Sequence, residues 1–406
     1  MTPGAPVAVR RYEWVPGDPP EDLVLGAPQT GGTYARAMLL LERSGVPWGV
    51  IGVAARDGIV PGASVQRAAA DQVAGMPRSS ITDFDAATPA VPLRVVITSR
   101  QDAWRVVRTV GPLVRDPDPY LEVVVVAQDD AAFELGRVLA ETFPDEPRLS
   151  LRDAAGPGRA QMRNRGAEGA AAGLIAFLDD DVVAHPYWAA ALRAAMHDAE
   201  GDGIGLALGQ ELPLVLETDA QWLWFRASGA GLGHEPIGAV HRPTIWEPGT
   251  AAACGGAVCV IAGAFTALGG FDGRLGVGTP TGGGDDVDLL LRARRAGYAV
   301  RSVPRAIIWR EYPDALRRVG RDAFARGVGV SATMTKQLAA GPGGIGRIRG
   351  AATAMRLGHH GRLRAFPNAE PGSRSPRRLV VMERLGLVAG PIGYARSALR
   401  GRGAQK

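Results

Sequence analysis

The chain has 406 residues, with 46 Lys and Arg against 41 Asp and Glu and a formal net charge of +5. Nearly all of the positive charge is arginine, lysine standing only at Lys336 and Lys406, and the sparse aromatics do not interleave with basic clusters, so the excess is not read as nucleic-acid binding. Two cysteines, Cys254 and Cys259, exclude a disulfide framework and fit no common zinc spacing; buried thiols in a reducing cytoplasm are expected. The first 20 residues have no apolar core of a signal peptide, and no apolar run approaches the ~20 residues that span a bilayer. Both lysines lie outside the stretches read here as the site, which argues against Schiff-base chemistry.

Residues 1–90 read as a small α+β module. Short strands are expected at 10–14 and 22–25, a helix at 33–44 from the spacing around Met38 to Leu41, a strand at 48–54 and a helix at 64–74. No catalytic constellation stands out there. Residues 83–92, with two prolines among small residues, read as a linker. From Leu93 strands and helices alternate: strands at 93–98, 121–127, 148–151 and 174–178, helices at 103–114, 131–142 and 157–172. Such alternation predicts an α/β fold, a doubly wound sheet flanked by helices. No G-x-G-x-x-G follows the first strand, so a dinucleotide site is not supported.

The stretch 174–181 reads Leu-Ile-Ala-Phe-Leu-Asp-Asp-Asp. Five apolar residues without alternation suit a strand buried on both faces. The carboxylates then fall at its carboxyl end, where ligands bind in open α/β sheets. Three adjacent carboxylates repel one another, and a divalent cation with hard oxygen ligands is one remedy; a solvated acidic turn is the bland alternative. The preceding helix carries Arg159 and Arg163 on one face, suited to a diphosphate or else simply solvated.

A helix at 186–199 and a strand at 204–209 follow. Residues 211–253 read as irregular loops and short helices, with Trp222, Trp224, His234, His241 and Trp246 either facing an acceptor or packed in the core. Next, Gly282-Gly283-Gly284-Asp285-Asp286-Val287-Asp288 opens a helix, where acidic residues suit the helix dipole as well as chemistry. Asp288 and Arg292 are spaced as an i,i+4 pair. Final strands are expected at 299–303 and 306–309, then a long helical stretch at 313–338 interrupted by Gly327 and Gly329. Beyond 341 the only acids are Glu370 and Glu383. Residues 368–376 read as a linker, and 379–399 as a basic tail that touches an anionic membrane surface or is solvated or packed on protein.

Taken in order, Arg-Asn-Arg-Gly (163–166), Phe-Leu-Asp-Asp-Asp (177–181) with Pro186, Gly-Gly-Phe-Asp (269–272) and Gly-Gly-Gly-Asp-Asp-Val-Asp-Leu (282–289) with Arg292 and Gly297-Tyr298 resemble family 2 glycosyltransferases of the GT-A fold. The likeness covers about 93–340. Gly278-Thr279-Pro280 and the ending around Val388–Pro391, Tyr394 and Arg396 are similar to an actinobacterial subgroup with an extra N-terminal module. The resemblance implies three parts: a module at 1–90, a GT-A-like catalytic domain with a mixed sheet at 91–340, and a basic, partly helical tail at 341–406.

The resemblance also implies roles. Asp179 and Asp181 correspond to a D-x-D pair holding Mn2+ or Mg2+, with Asp179 and Asp180 toward the nucleotide. Asp286 corresponds to the general base, with Asp285, Asp288 and Gly284 as support. Thr98, Arg159 and Arg163 would contact the donor. Three positions depart from the family pattern. Ala127-Gln128 stands where an Asp usually meets the base, leaving Asp129 or Asp130 to substitute. Thr98-Ser99 replaces Pro-Thr. Trp309-Arg310 replaces Trp-His, so Arg310 either meets the diphosphate or marks altered metal dependence.

The implied activity is that of an inverting, metal-dependent, hexosyltransferase-like enzyme, cytoplasmic or peripheral at the inner face of the membrane. It would move a sugar from a nucleotide-sugar to a glycan, a lipid carrier or a small molecule, as in cell-envelope polysaccharide synthesis. The alternative is a catalytically impaired homologue that binds a nucleotide or a partner. A nucleotidyltransferase is disfavoured, since no glycine-rich phosphate loop follows the first strand.

Overall fold

The structure is a computed structural model. It describes residues 6–17, 21–74, 90–100, 103–128, 130–154, 156, 158–170, 172–197, 199, 201–228, 240–241, 257–339 and 377–403. Asp129, His234, Trp246, Cys254 and the expected linker at 368–376 lie outside these residues, as does most of that at 83–92.

The N-terminal part comprises β1 (Val7–Glu13), β2 (Leu23–Val24), β3 (Arg36–Arg43), β4 (Val46–Ala54), β5 (Ile59–Val60) and α1 (Gly62–Ala74). The helix expected at 33–44 is instead β3, the centre of a three-stranded sheet ordered β1-β3-β4. Its run Met38–Leu41 is buried on both faces. Leu39 and Leu41 join the module's own core with Trp14 and Val65. Met38 and Leu40 face the other way, onto Leu212, Phe225, Ile307 and Tyr312. A strand buried on both sides loses its period-2 alternation, and a four-residue apolar run then imitates a helix. Ser44 and Gly45, both at positive φ, turn the chain into β4.

The rest of the chain is built from β6 (Leu93–Thr98), α2 (Ala103–Arg115), β7 (Leu121–Ala127), α3 (Asp130–Thr142), β8 (Leu149–Asp153), α4 (Arg159–Ala167), β9 (Leu174–Asp179), β10 (Val182–Ala184), α5 (Trp188–Met196), β11 (Ile204–Pro213), α6 (Asp219–Ser228), β12 (Val240–His241), β13 (Ala257–Ile261), α7 (Ala262–Ala267), α8 (Asp285–Arg295), β14 (Ala299–Arg310), α9 (Leu316–Ala339) and α10 (Arg377–Gly403). The main sheet runs β10-β14-β11-β13-β9-β6-β7-β8, with β12 beside β14. Strands β8, β7, β6 and β9 are mutually parallel, and β13 is antiparallel to β9. The sheet is therefore mixed, and the apolar runs of β6, β7 and β9 form its buried centre.

Two sequence-based boundaries change. The helix expected at 157–172 is the shorter α4. The two final strands are one, β14, which continues through Pro304 with an irregular register against β11. Trp222 and the ring of Trp224 pack against the cluster under β1 and β3.

Gly327 does not interrupt α9; it is where α10 crosses. A Cβ there would lie 2.1 Å from the Glu383 carbonyl, and one at Gly386 would lie 2.1 Å from the Phe324 carbonyl. Small residues on both helices let their backbones approach. Gly327→Ala is expected to destabilise the protein by about 1–3 kcal/mol through overpacking. Gly320→Ala, in the same helix but facing open space, is expected to stabilise it by roughly 0.5–1 kcal/mol. Thermal unfolding of the two variants checks the pair.

Candidate active site

Four elements converge where β9 leaves the sheet. Thr98 and Asp179 are paired in the β6–β9 register, so the Asp triplet emerges beside the end of β6. Helix α4 lies hard on the sheet because Gly166 has no Cβ; one there would meet Val96 Cγ1 at 2.2 Å. That close approach carries Arg159 and Arg163 over the strand ends. The start of α8 is held by Gly284, at φ 93°, whose carbonyl accepts a hydrogen bond from Thr333 Oγ1 at 3.0 Å. A side chain at Gly284 would combine a strained φ with a 2.5 Å approach to the Gly329 carbonyl.

Arg163 ties the two acidic clusters together. Its Nη2 donates to Asp179 Oδ1 at 3.0 Å and its Nη1 to Asp285 Oδ2 at 2.9 Å. The Arg163 and Asp285 side chains are 3% and 0% exposed. The guanidinium also lies over the Phe271 ring, 5.2 Å from its centroid. Arg159 Nη1 reaches the same Asp179 oxygen at 3.3 Å. From the other side, Arg310 binds Asp179 Oδ2 at 3.2 Å, Asp181 Oδ1 at 2.5 Å and Glu211 Oε2 at 2.7 Å. Burial alone would raise Asp179, but Arg159, Arg163 and Arg310 hold it well below the usual carboxylate range. Burial pushes Glu211 up despite Arg310. Asp180 accepts a hydrogen bond from Ser99 Oγ; burial and its acidic neighbours raise it.

Asp286 is placed differently from Asp285. Its Oδ1 accepts a hydrogen bond from the Val287 amide at 2.8 Å, and it makes no ion pair among the described residues. Burial and the adjacent Asp285 carry it up to about 6, against the partial opposition of Arg163 and Arg159. Two residues on, Asp288 is fully buried and accepts from Arg292 and from Lys336, which also pairs with Asp272 at 2.6 Å. Lys336 therefore braces the start of α8, a role its distance in sequence conceals.

Of the residues singled out from the sequence, Asp179, Asp181, Arg159, Arg163, Asp285, Asp286 and Arg310 are brought together. Asp180 and Thr98 adjoin them, and Asp288 and Gly284 hold the helix start. Trp309 is not with Arg310. Neighbours on a strand face opposite sides, and the Trp309 ring packs 5.5 Å from that of His185, in the cluster under the N-terminal sheet. Asp129 lies outside the described residues. Glu211 and Lys336 were missed; neither has a local motif, and only sheet order and helix packing bring them in.

The donor atoms do not fit a divalent cation as they stand. Both oxygens of Asp179 and one of Asp181 already accept from guanidinium groups, and an ion between these carboxylates would displace Arg310. Among the described residues no group of three or more His, Cys, Asp or Glu side chains is arranged to hold a metal.

The mixed sheet thus ends in two acidic clusters joined by arginines. The chain belongs to the glycosyltransferase-like family 2, whose model matches residues 89–328, and is a glycosyltransferase in that general sense. Its mixed sheet flanked by helices agrees with the GT-A-like arrangement expected. The validoxylamine A glucosyltransferase of Streptomyces hygroscopicus subsp. jinggangensis (strain 5008) is 35% identical over 112 residues, 27% of this chain and 26% of that protein; the match thus spans about a quarter of each. The mannosyltransferase PcManGT of Pyrobaculum calidifontis, solved with GDP-Man and Mn2+, superposes with a TM-score of 0.46 at 17% identity, over 80% of this chain and 92% of that one. TarS 1-349 of S. aureus gives 0.45 at 10% identity, over 77% and 91%.

Removing Arg163 leaves buried Asp285 with only a 3.8 Å contact to Arg159 among the described residues. Arg163→Met is expected to cost about 3–5 kcal/mol, read as a lower midpoint in urea unfolding. Arg137→Met, which breaks only exposed pairs, is expected to leave that midpoint nearly unchanged.

Proposed function

We propose that the protein is an inverting glycosyltransferase that moves a sugar from a nucleotide-sugar donor to an acceptor hydroxyl on a glycan, a lipid carrier or a small molecule. The observation that carries this reading is the division of labour between adjacent carboxylates. Asp285 is locked to Arg163, whereas Asp286 is held near 6 with its charge unspent on any ion pair among the described residues. A carboxylate so poised suits proton abstraction close to neutral pH.

In this scheme Asp286 takes the proton of the acceptor hydroxyl as that oxygen attacks the anomeric carbon. The bond from that carbon to the diphosphate oxygen breaks on the opposite face, which inverts the anomeric centre. Charge that builds on the leaving diphosphate meets the guanidinium groups around Asp179. Asp285 holds Arg163 in place.

Asp286→Asn is expected to lower kcat by about 10²–10⁴-fold while UDP, GDP or dTDP binds within a few-fold of wild type. Because the base works only when ionised, wild-type kcat/KM is expected to fall as pH drops through about 6. Release of nucleoside diphosphate from a panel of nucleotide-sugars, with NMR of the product anomer, checks both. Nucleotide binding with no turnover of any sugar nucleotide would favour instead a binding homologue that has lost catalysis.

A peripheral membrane position is part of the same reading. No described helix is long and apolar enough to cross a membrane. Helix α10, however, leaves Val381, Leu385, Val388, Ile392 and Leu399 exposed along one stripe, at intervals of four, three, four and seven residues. Exposed Arg378, Arg384, Arg396 and Arg400 accompany it. An apolar stripe with arginine alongside suits an anionic bilayer surface. Co-sedimentation is expected with phosphatidylglycerol vesicles and not with phosphatidylcholine vesicles, and is expected to be lost in the Val388→Asp/Ile392→Asp double variant.

A further inference from the structure

Arg310 ends β14, and the sheet register sets it opposite Val182 of β10 and Pro213 of β11. Its guanidinium is thereby delivered into the turn made by the three aspartates. Nη1 donates to Asp181 and to Asp179, Nη2 donates to Asp179, and Nε donates to Glu211. The side chain is only 7% exposed. A fixed cation thus sits between the two strand-end carboxylates. Arg159 and Arg163 take the remaining oxygen of Asp179. A divalent ion needs lone pairs on both acids, and here it would also face a positive charge in contact with each of them.

Unspent donors surround the same point. Arg159 is 23% exposed at the open edge of the cluster, yet its Nε is buried with no hydrogen-bond partner in the structure described. Thr98, 6% exposed and paired in register with Asp179, likewise has a buried Oγ1 without a partner. Buried polar groups are ordinarily satisfied, so the orphan donors Arg159 Nε and Thr98 Oγ1 beside a cluster of cations point to an anionic ligand, while Asp285 Oδ1, also without a hydrogen-bond partner, faces Arg159 Nη2 at 3.8 Å.

We propose that Arg310 and Arg159 are the cations that receive the donor's diphosphate, so that donor binding requires no divalent metal. This rests on the nucleotide-sugar reading of the site. A guanidinium presents a planar fork of N–H donors matched to phosphate oxygens and stays charged at every working pH. Asp179, Asp181 and Glu211 then serve as positioning residues that aim Arg310, not as ligands of an ion.

The test is calorimetry with UDP, GDP and dTDP on the full chain, in EDTA and in MnCl2. The expected result is that at least one of them binds wild type with the same Kd in both, within about threefold. Arg310→Ala is expected to lose about tenfold or more in EDTA, the loss of charge-assisted phosphate bonds. Arg310→His removes the guanidinium and offers an imidazole that can ligate, so its binding is expected to become Mn2+-dependent. Thermal melting shows whether the variants fold, and the wild-type comparison needs no variant. Wild-type binding that vanishes in EDTA and returns with Mn2+ overturns the inference and leaves the donor reading intact. Absence of binding by all three diphosphates in both conditions overturns the donor reading and the inference with it.

Discussion

The site depends on one buried guanidinium. Arg163 joins Asp179, at the end of β9, to Asp285, at the start of α8 and 122 residues beyond Arg163 itself. With the Arg163 and Asp285 side chains almost wholly desolvated, the pairing is worth little as net stability but much as a geometric constraint: without Arg163, buried Asp285 would keep only its 3.8 Å contact to Arg159 among the described residues. That constraint fixes the spacing between the two acidic clusters. It also commits Asp285 to the pairing with Arg163, which under the proposed function leaves the neighbouring Asp286 as the carboxylate available for chemistry.

The scaffold is arranged so that this constraint can be met. Gly166 lets α4 sit close enough to the sheet for Arg163 to reach Asp179. Thr333 and Lys336 of α9 hold the first turn of α8 through Gly284 and Asp288. Helix α10 crosses α9 by glycine-mediated contact. On the far side, Met38 and Leu40 of the N-terminal sheet pack against Ile307, two residues short of Trp309 and three short of Arg310. The N-terminal and C-terminal parts therefore both bear on the strands and helices that carry the site, without supplying residues to the chemistry proposed for it.

Much of the site was legible in the sequence because its parts are local motifs. An apolar run ending in three aspartates, a helix with arginines four apart, and a glycine-rich turn into Asp285-Asp286 each announce a strand end or a helix start. Their order carried the family resemblance that the match over 89–328 bears out. What was not legible was what fills the space between them. Trp309-Arg310 read as one departure from a pattern, but strand pleating sends the two side chains to opposite faces, one into a hydrophobic cluster and one among the carboxylates. Glu211 and Lys336 reach the site only through β11–β14 pairing and α8–α9 packing, and no spacing rule connects them to it.

The same division holds for the fold. Sequence alone determined the α/β alternation from Leu93, the buried strands at 93–98, 121–127 and 174–178, and the acidic clusters at their ends, because these features are set by short-range periodicity and backbone preference. Tertiary structure decided three others. It made 36–43 a strand, since burial on two faces erased the alternation that marks one. It turned Gly327 from an apparent break into the point where two helices cross, since a glycine's effect depends on what its missing side chain would have met. It also set Arg310 between Asp179 and Asp181, since the partners of a charge are fixed by the register of strands far apart in the chain.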